Sequence, residues 1–122
     1  MKKILIVDDV STNLKCCNII LKDKYQPVLA KSGQEALQYL QKEVPDLILL
    51  DIHMPDIDGY EVMEQIKKDE KTTGIPVIFV TAETKPEYEA RGRAMGAADY
   101  IRKPFSTKKL LDSVEKVLGS AG

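Results

Sequence analysis

The sequence predicts an α/β protein built on one parallel sheet of five strands, and three observations point there. Short apolar runs alternate with stretches of helical period, five times over. The first, third and fourth runs are continuously apolar, as strands buried on both faces must be, whereas the second and fifth are shorter and mixed. The runs also stop on chemistry-bearing residues: residues 4–7 lead into Asp8-Asp9, residues 47–50 end on Asp51, residues 77–80 end on Thr81, and Tyr100-Ile101 is followed closely by Lys103.

Taken in order, the first strand spans residues 3–7, and a helix from about Thr12 to Lys24 places Leu14, Cys17 and Leu21 on one face. A strand at residues 27–30 follows. Ser32 with Glu35 three positions on reads as a capping box for a helix that turns Ala36, Leu37 and Leu40 inward and ends before Pro45. The third strand, residues 46–51, gives way to a loop over residues 52–58 rich in turn formers (Pro55, Asp56, Asp58), and a helix carrying Val62 and Ile66 begins near Gly59. Thr73-Gly74 closes that unit. The fourth strand, residues 76–81, precedes a polar helix with Pro86 at its first position and only Tyr88 and Met95 as large apolar anchors, so this helix is expected to be the least firmly held. A weak strand at residues 99–102 and Pro104 lead into a last helix with Leu110, Leu111, Val114, Val117 and Leu118 at helical spacing, which ends at Gly119 before a small-residue tail. Mixed runs belong at sheet edges, a condition satisfied by the strand order 2-1-3-4-5 of the flavodoxin-like three-layer (βα)5 sandwich.

The 122 residues fit one domain, 1–122 with a core of about 3–118, long enough to bury about two-thirds of the unfolded surface. Eighteen basic and nineteen acidic residues leave a formal charge of −1 and no basic patch, which argues against direct nucleic-acid or anionic-membrane binding. No apolar run approaches the roughly 18 residues of a membrane span, and the Met-Lys-Lys start leads into a strand without a cleavage site, so a cytoplasmic protein is expected. Cys16 and Cys17 are neighbours in a helix, where a mutual disulfide would be strained; they read as small apolar residues.

Ligands of open α/β sheets bind beyond the carboxyl ends of the strands, so Asp8, Asp9, Asp51, Thr81 and Lys103 are expected to face one another. Three clustered carboxylates repel unless a cation sits among them, and a hard divalent ion such as Mg²⁺ takes oxygen ligands while keeping waters or phosphate oxygens in its remaining positions. That combination suits phosphoryl chemistry, with Asp51 as acceptor, the Lys103 ammonium and Thr81 hydroxyl on the transferred group, and the small Ala82 leaving room for it. Each residue alone has a plainer reading. Asp8-Asp9 can be a solvated turn, Thr81 a strand-end residue, Lys103 a surface lysine, Tyr100 a core aromatic and His53 an exposed loop residue; their joint placement carries the inference.

The strings Ile-Leu-Ile-Val-Asp-Asp ending at Asp9, Asp-Leu-Ile-Leu-Leu-Asp-Ile-His-Met-Pro-Asp-Ile-Asp-Gly ending at Gly59, Val80-Thr81-Ala82, and Gly96-Ala97 leading to Tyr100 and Lys103-Pro104-Phe105 resemble the response-regulator receiver domain of bacterial two-component signalling, over nearly the whole chain. The resemblance implies a flavodoxin-like fold and a Mg²⁺-dependent phosphoacceptor switch, with Mn²⁺ able to substitute. It implies Asp51 as phosphoacceptor; Asp8, Asp9, Asp51 and the His53 backbone carbonyl as metal ligands; and Thr81 and Lys103 as phosphoryl-oxygen ligands. It further implies Thr81 and Tyr100 as a coupled switch, a cis Lys103-Pro104 bond, and His53, Ala82 and Glu83 as tuners of phosphoryl lifetime. The implied partners are a histidine kinase or histidine phosphotransfer protein and a downstream effector protein or output domain. Some members of the family also form a phosphorylation-dependent homodimer through the face of the fourth and fifth units.

Three other functions compete. A non-phosphorylated pseudo-receiver would act as an interaction module only, and the complete site argues against it. An aspartyl-phosphate phosphohydrolase typically needs a second acid two residues after its nucleophile, where this chain has His53. A flavin or nucleotide carrier would show a glycine- or hydroxyl-rich phosphate loop after the first strand, where this chain has Asp8-Asp9-Val10. A switch whose purpose is not turnover is therefore the expected function.

Overall fold

The computed structural model describes residues 1–119; the small-residue tail read beyond Gly119 lies outside the described residues. Ten elements alternate along the chain: β1 (Lys3–Val7), α1 (Ser11–Leu21), β2 (Gln26–Ala30), α2 (Gly33–Lys42), β3 (Leu47–Leu50), α3 (Gly59–Lys68), β4 (Val77–Thr81), α4 (Pro86–Ala94), β5 (Asp99–Arg102) and α5 (Thr107–Leu118). The five strands form one parallel sheet in the order β2-β1-β3-β4-β5, with the two mixed runs at its edges. The three central strands are buried along nearly their whole length, while β2 and β5 carry exposed residues. Pro27, which cannot donate to a ladder, is tolerated because β2 is an edge.

Alternating side chains divide the core between the two faces of the sheet. Leu5, Val7, Ile48, Leu50, Val77 and Phe79 pack with Ala36 and Leu40 of α2 and with Val62, Met63 and Ile66 of α3. On the opposite face Ile4, Ile6, Leu47, Leu49, Ile78 and Val80 meet Leu14, Cys17 and Leu21 of α1 and Leu110 and Val114 of α5. Cys17 is buried and Cys16 exposed, and both are free; burial pushes the Cys17 thiol up to about 12, which leaves it an inert apolar filler. In α4 only Gly92 is buried, in keeping with the loose anchoring its composition predicts.

The boundaries differ from the sequence reading where local hydrogen bonds decide them. α1 ends at Leu21, three residues before Lys24: the Leu21 carbonyl accepts from both Lys24 and Tyr25 N–H groups, and Gln26 N–H turns to the Lys2 carbonyl to start β2. Ser32 caps α2 by accepting from Glu35 N–H at 3.1 Å. The Glu35 carboxylate, however, accepts from Lys31 N–H at 3.2 Å, one residue before the cap, so the box closes one position early. Asp58 and Ser106 cap α3 and α5 in the same manner, accepting from Glu61 and Lys109 N–H groups. Gly119 ends α5 with φ of 84°, a left-handed conformation that glycine adopts at little cost.

Candidate functional site

Because the strands are parallel, their carboxyl ends lie along one edge of the sheet, and four neighbouring strands deliver the site there. Asp8 follows β1, Asp51 follows β3, Thr81 is the last residue of β4, and Lys103 follows β5. Asp8 and Asp51 are buried, Asp9 is exposed, and one oxygen from each of the three carboxylates fits within 4.8 Å of the others. The Lys103 ammonium reaches into this cluster, 2.5 Å from Asp8 Oδ2 and 3.2 Å from Asp51 Oδ2. Thr81 is fully buried.

The backbone holds these side chains in place. Val10 N–H donates to Asp8 Oδ1 at 2.9 Å, and Ile52 N–H donates to Asp51 Oδ1 at 2.7 Å. Asp51 N–H continues the ladder to the Val7 carbonyl, and Lys103 N–H donates to the Thr81 carbonyl at 2.8 Å, tying the turn after β5 to the end of β4. The Lys103-Pro104 peptide is cis. Gly59 presses on the Asp51 turn: its N–H donates to the Ile52 carbonyl at 2.7 Å, and a β-carbon there would stand 2.2 Å from the Asp51 carbonyl oxygen. The loop between Asp51 and Gly59 is anchored by Asp56, which accepts from Gly33 and Gln34 N–H groups at the start of α2. Burial alone would raise the Asp56 carboxyl, but these backbone donors outweigh it and hold it below the ordinary range.

The electrostatics are those of a buried acidic pocket with one shared cation. Burial raises the Asp51 carboxyl above its ordinary range; the Lys103 ammonium opposes that rise, the Asp8 carboxylate adds to it, and the net shift is upward. Burial pulls the Lys103 ammonium down, but the Asp8 hydrogen bond and the two carboxylate charges outweigh it and raise it. Two buried carboxylates thus share one cation, with a third carboxylate beside them. The donor set is all oxygen and open to solvent at Asp9, which fits a hard divalent cation and no soft one.

The remaining sequence candidates are placed around this pocket. His53 and Glu83 face each other at 3.7 Å, and Ala82 is exposed beside them. Glu83 N–H donates to Thr81 Oγ1 at 3.2 Å. Tyr100 pairs with Phe79, two positions before Thr81 on the neighbouring strand, so its side chain shares the sheet face of Phe79 and Thr81. Its ring packs at 6.4 Å from Phe79, and its hydroxyl is the one buried side-chain polar atom without a partner among the described residues. Sequence reasoning took Asp56 and Gly59 only as turn and helix-start residues and passed over Tyr60; the partners of Asp56 and Tyr60 lie 22 and 28 positions away, and the packing of Gly59 on the Asp51 turn leaves no periodic trace.

The match to known proteins agrees with this geometry: the family model for the response regulator receiver domain covers residues 4–115. The chain belongs to that family. Among curated relatives the receiver is 38% identical to the polar-differentiation response regulator DivK of Brucella ovis, over 98% of each chain. It is 36% identical to protein PilH of Pseudomonas aeruginosa, over 97% of this chain and 98% of that protein. It is also 45% identical to a probable cyclic di-GMP phosphodiesterase of Vibrio cholerae, of which it spans only 25% while using 91% of its own length. Among solved structures, the receiver resembles chemotaxis protein CheY4 of Vibrio cholerae with a TM-score of 0.90 and 34% identity, over 97% of this chain and 99% of that one. Receivers of this family are in general signalling switches that work with kinases and effectors in two-component systems.

Proposed function

We propose that this receiver is a phosphorylation-controlled switch in which Asp51 accepts a phosphoryl group from a histidine kinase or histidine phosphotransfer protein in the cytoplasm. The observation that carries the reading is the contact of Lys103 with both Asp51 and Asp8, beside a third carboxylate, at the carboxyl edge of the sheet. In the transfer, the bond between phosphorus and the donor's imidazole nitrogen breaks, its electron pair returning to the imidazole, as a bond forms from an Asp51 carboxylate oxygen to phosphorus. Asp8, Asp9, Asp51 and the His53 carbonyl would hold Mg²⁺, or Mn²⁺ in its place. A bound ion supplies charge neutralisation for the incoming phosphoryl oxygens.

The chain's own groups do the rest. Lys103 is held at Asp51 by the backbone tie between β5 and β4, where its ammonium can pass from carboxylate to phosphoryl oxygen without a large movement. The Thr81 hydroxyl, which accepts from Glu83 N–H and donates toward Asp51, turns its proton to another phosphoryl oxygen. Movement of Thr81 frees space beside the unpartnered Tyr100 hydroxyl, a buried donor that gains a hydrogen bond by shifting with it. Such a shift changes the surface of α4, β5 and α5, which an effector protein, an output domain or a second copy then reads. His53, Ala82 and Glu83 flank the mouth and tune how long the acyl phosphate survives.

The absence of an acid at His53 favours a switch over a phosphohydrolase, and the intact set of carboxylates, lysine and threonine favours it over a pseudo-receiver. Metal binding is tested by thermal unfolding. Mg²⁺ at tenfold its dissociation constant is expected to add about 1.4 kcal/mol by binding linkage. That corresponds to a rise in Tm of about 5 °C for a domain of this size. The exposed Asp9 can be changed to asparagine without disturbing the core, and Asp9→Asn is expected to reduce the shift. An unchanged Tm at millimolar Mg²⁺ would remove the metal site from the mechanism.

A further inference from the structure

α4 is unusual among the five helices in how little apolar surface fixes it. Its one buried residue is Gly92, seated against Phe79, and its first turn lacks a side-chain cap. The ion pairs along it, Arg93 with Glu89 and Asp99 and Arg102 with Glu89, join partly exposed side chains and contribute little. Among the described residues, one buried side chain from outside the helix hydrogen-bonds to it: Tyr60 of α3, which is 2% exposed and whose hydroxyl donates to the Tyr88 carbonyl at 2.8 Å. The Tyr60 ring also stacks with that of Tyr88 at 6.3 Å and 15°, and the Arg91 guanidinium lies 4.1 Å from its centroid.

Tyr60 stands at the centre of a chain of aromatic contacts that runs from the site to the core. Tyr88 touches His53, two residues past Asp51, at 5.4 Å; Tyr60 touches Phe79 at 5.6 Å; and Phe79 touches Tyr100. We propose that Tyr60 is a positioning residue, a latch that holds α4 in the unphosphorylated arrangement through the hydrogen bond to Tyr88 and releases it on switching. The proposal rests on the phosphorylation reading for its second half only; the latch itself is a property of the resting protein. Burial, with the nearby Tyr100 adding to it, pushes the Tyr60 phenol up to about 12, so the donor keeps its proton through the neutral range.

The bond can be subtracted cleanly. Within a helix the Tyr88 carbonyl also accepts from Gly92 N–H, so Tyr60→Phe leaves the ring stack intact and no acceptor orphaned. Amide hydrogen exchange on the full chain, wild type and Tyr60→Phe, reads the effect. Segments covering residues 85–95 are expected to exchange roughly fivefold faster in the variant, the factor for one net hydrogen bond, while β1, β3 and α5 stay unchanged. Phosphorylation by acetyl phosphate with Mg²⁺ is expected to quicken by a similar factor, because the released arrangement becomes more populated.

Unchanged exchange in residues 85–95, or an acceleration spread evenly over all elements, overturns the latch and leaves Tyr60 an ordinary core residue. Faster α4 exchange with equal phosphorylation rates in the two proteins overturns its coupling to the switch. Faster α4 exchange when neither protein takes up a phosphoryl group supports the latch and sinks the phosphorylation reading instead, so the two failures are separable.

Discussion

Lys103→Met is expected to lower the stability of the metal-free protein by about 3 kcal/mol and to stop phosphoryl transfer to Asp51. The ammonium is the shared counter-charge of Asp8 and Asp51, whose side chains are 7% and 10% exposed. Methionine fills a similar volume but leaves the two carboxylates facing each other without a cation. The loss carries a pH signature. Asp51 already has a folded-state pKa above its unfolded value of about 3.8, so the native state binds more protons than the unfolded one between those values, and stability falls as pH rises through that window. Without Lys103 the folded value rises further and the window widens upward. The variant should therefore lie closest to the wild type in acid and fall away from it as pH rises through the Asp51 value, with Mg²⁺ restoring part of the difference. Thermal unfolding across pH checks this; equal stability of the two proteins at neutral pH would show that Lys103 is not a partner of the buried carboxylates.

Gly59→Ala is expected to cost about 3 kcal/mol, at the upper end for a single added methyl, and to reduce phosphoryl acceptance as well. The added β-carbon would meet the Asp51 carbonyl oxygen at 2.2 Å and the Ile52 α-carbon at 2.9 Å. Both are backbone atoms, which cannot swing aside as the end of a flexible side chain does. The only relief is to move α3 away from the turn or to move the turn itself, and that turn carries Asp51. Gly74, by contrast, has open space around it, so Gly74→Ala is a control for the loss of glycine alone. Matching melting temperatures for the two variants would contradict the close packing of α3 on the Asp51 turn.

The periodic features of this protein were open to reading from the chain because they are local. A strand buried on both faces must be apolar throughout, so the runs ending at Val7, Leu50 and Val80 marked β1, β3 and β4, and a parallel sheet then carried Asp8, Asp51, Thr81 and Lys103 to one edge. Bonds that depend on tertiary placement were hidden. The grip of Tyr60 on Tyr88 spans 28 positions and that of Asp56 on Gln34 spans 22, and neither leaves a periodic trace. The end of α1 was misplaced because the residues after Leu21 continue a helical composition, while the demand to begin β2 at Gln26 comes from the Lys2 carbonyl of the neighbouring strand. Ser106 passed unnoticed as the cap of α5 although Ser is a favoured N-cap residue, since Pro104 drew the boundary first.

Intact mass after incubation with acetyl phosphate, with and without Mg²⁺, on the native chain and on Asp51→Ala, tests the phosphoacceptor role most directly. A single Mg²⁺-dependent phosphoryl adduct on the native chain that is missing from Asp51→Ala is the expected result. An adduct that persists in Asp51→Ala, or none on either protein under any condition, would contradict it.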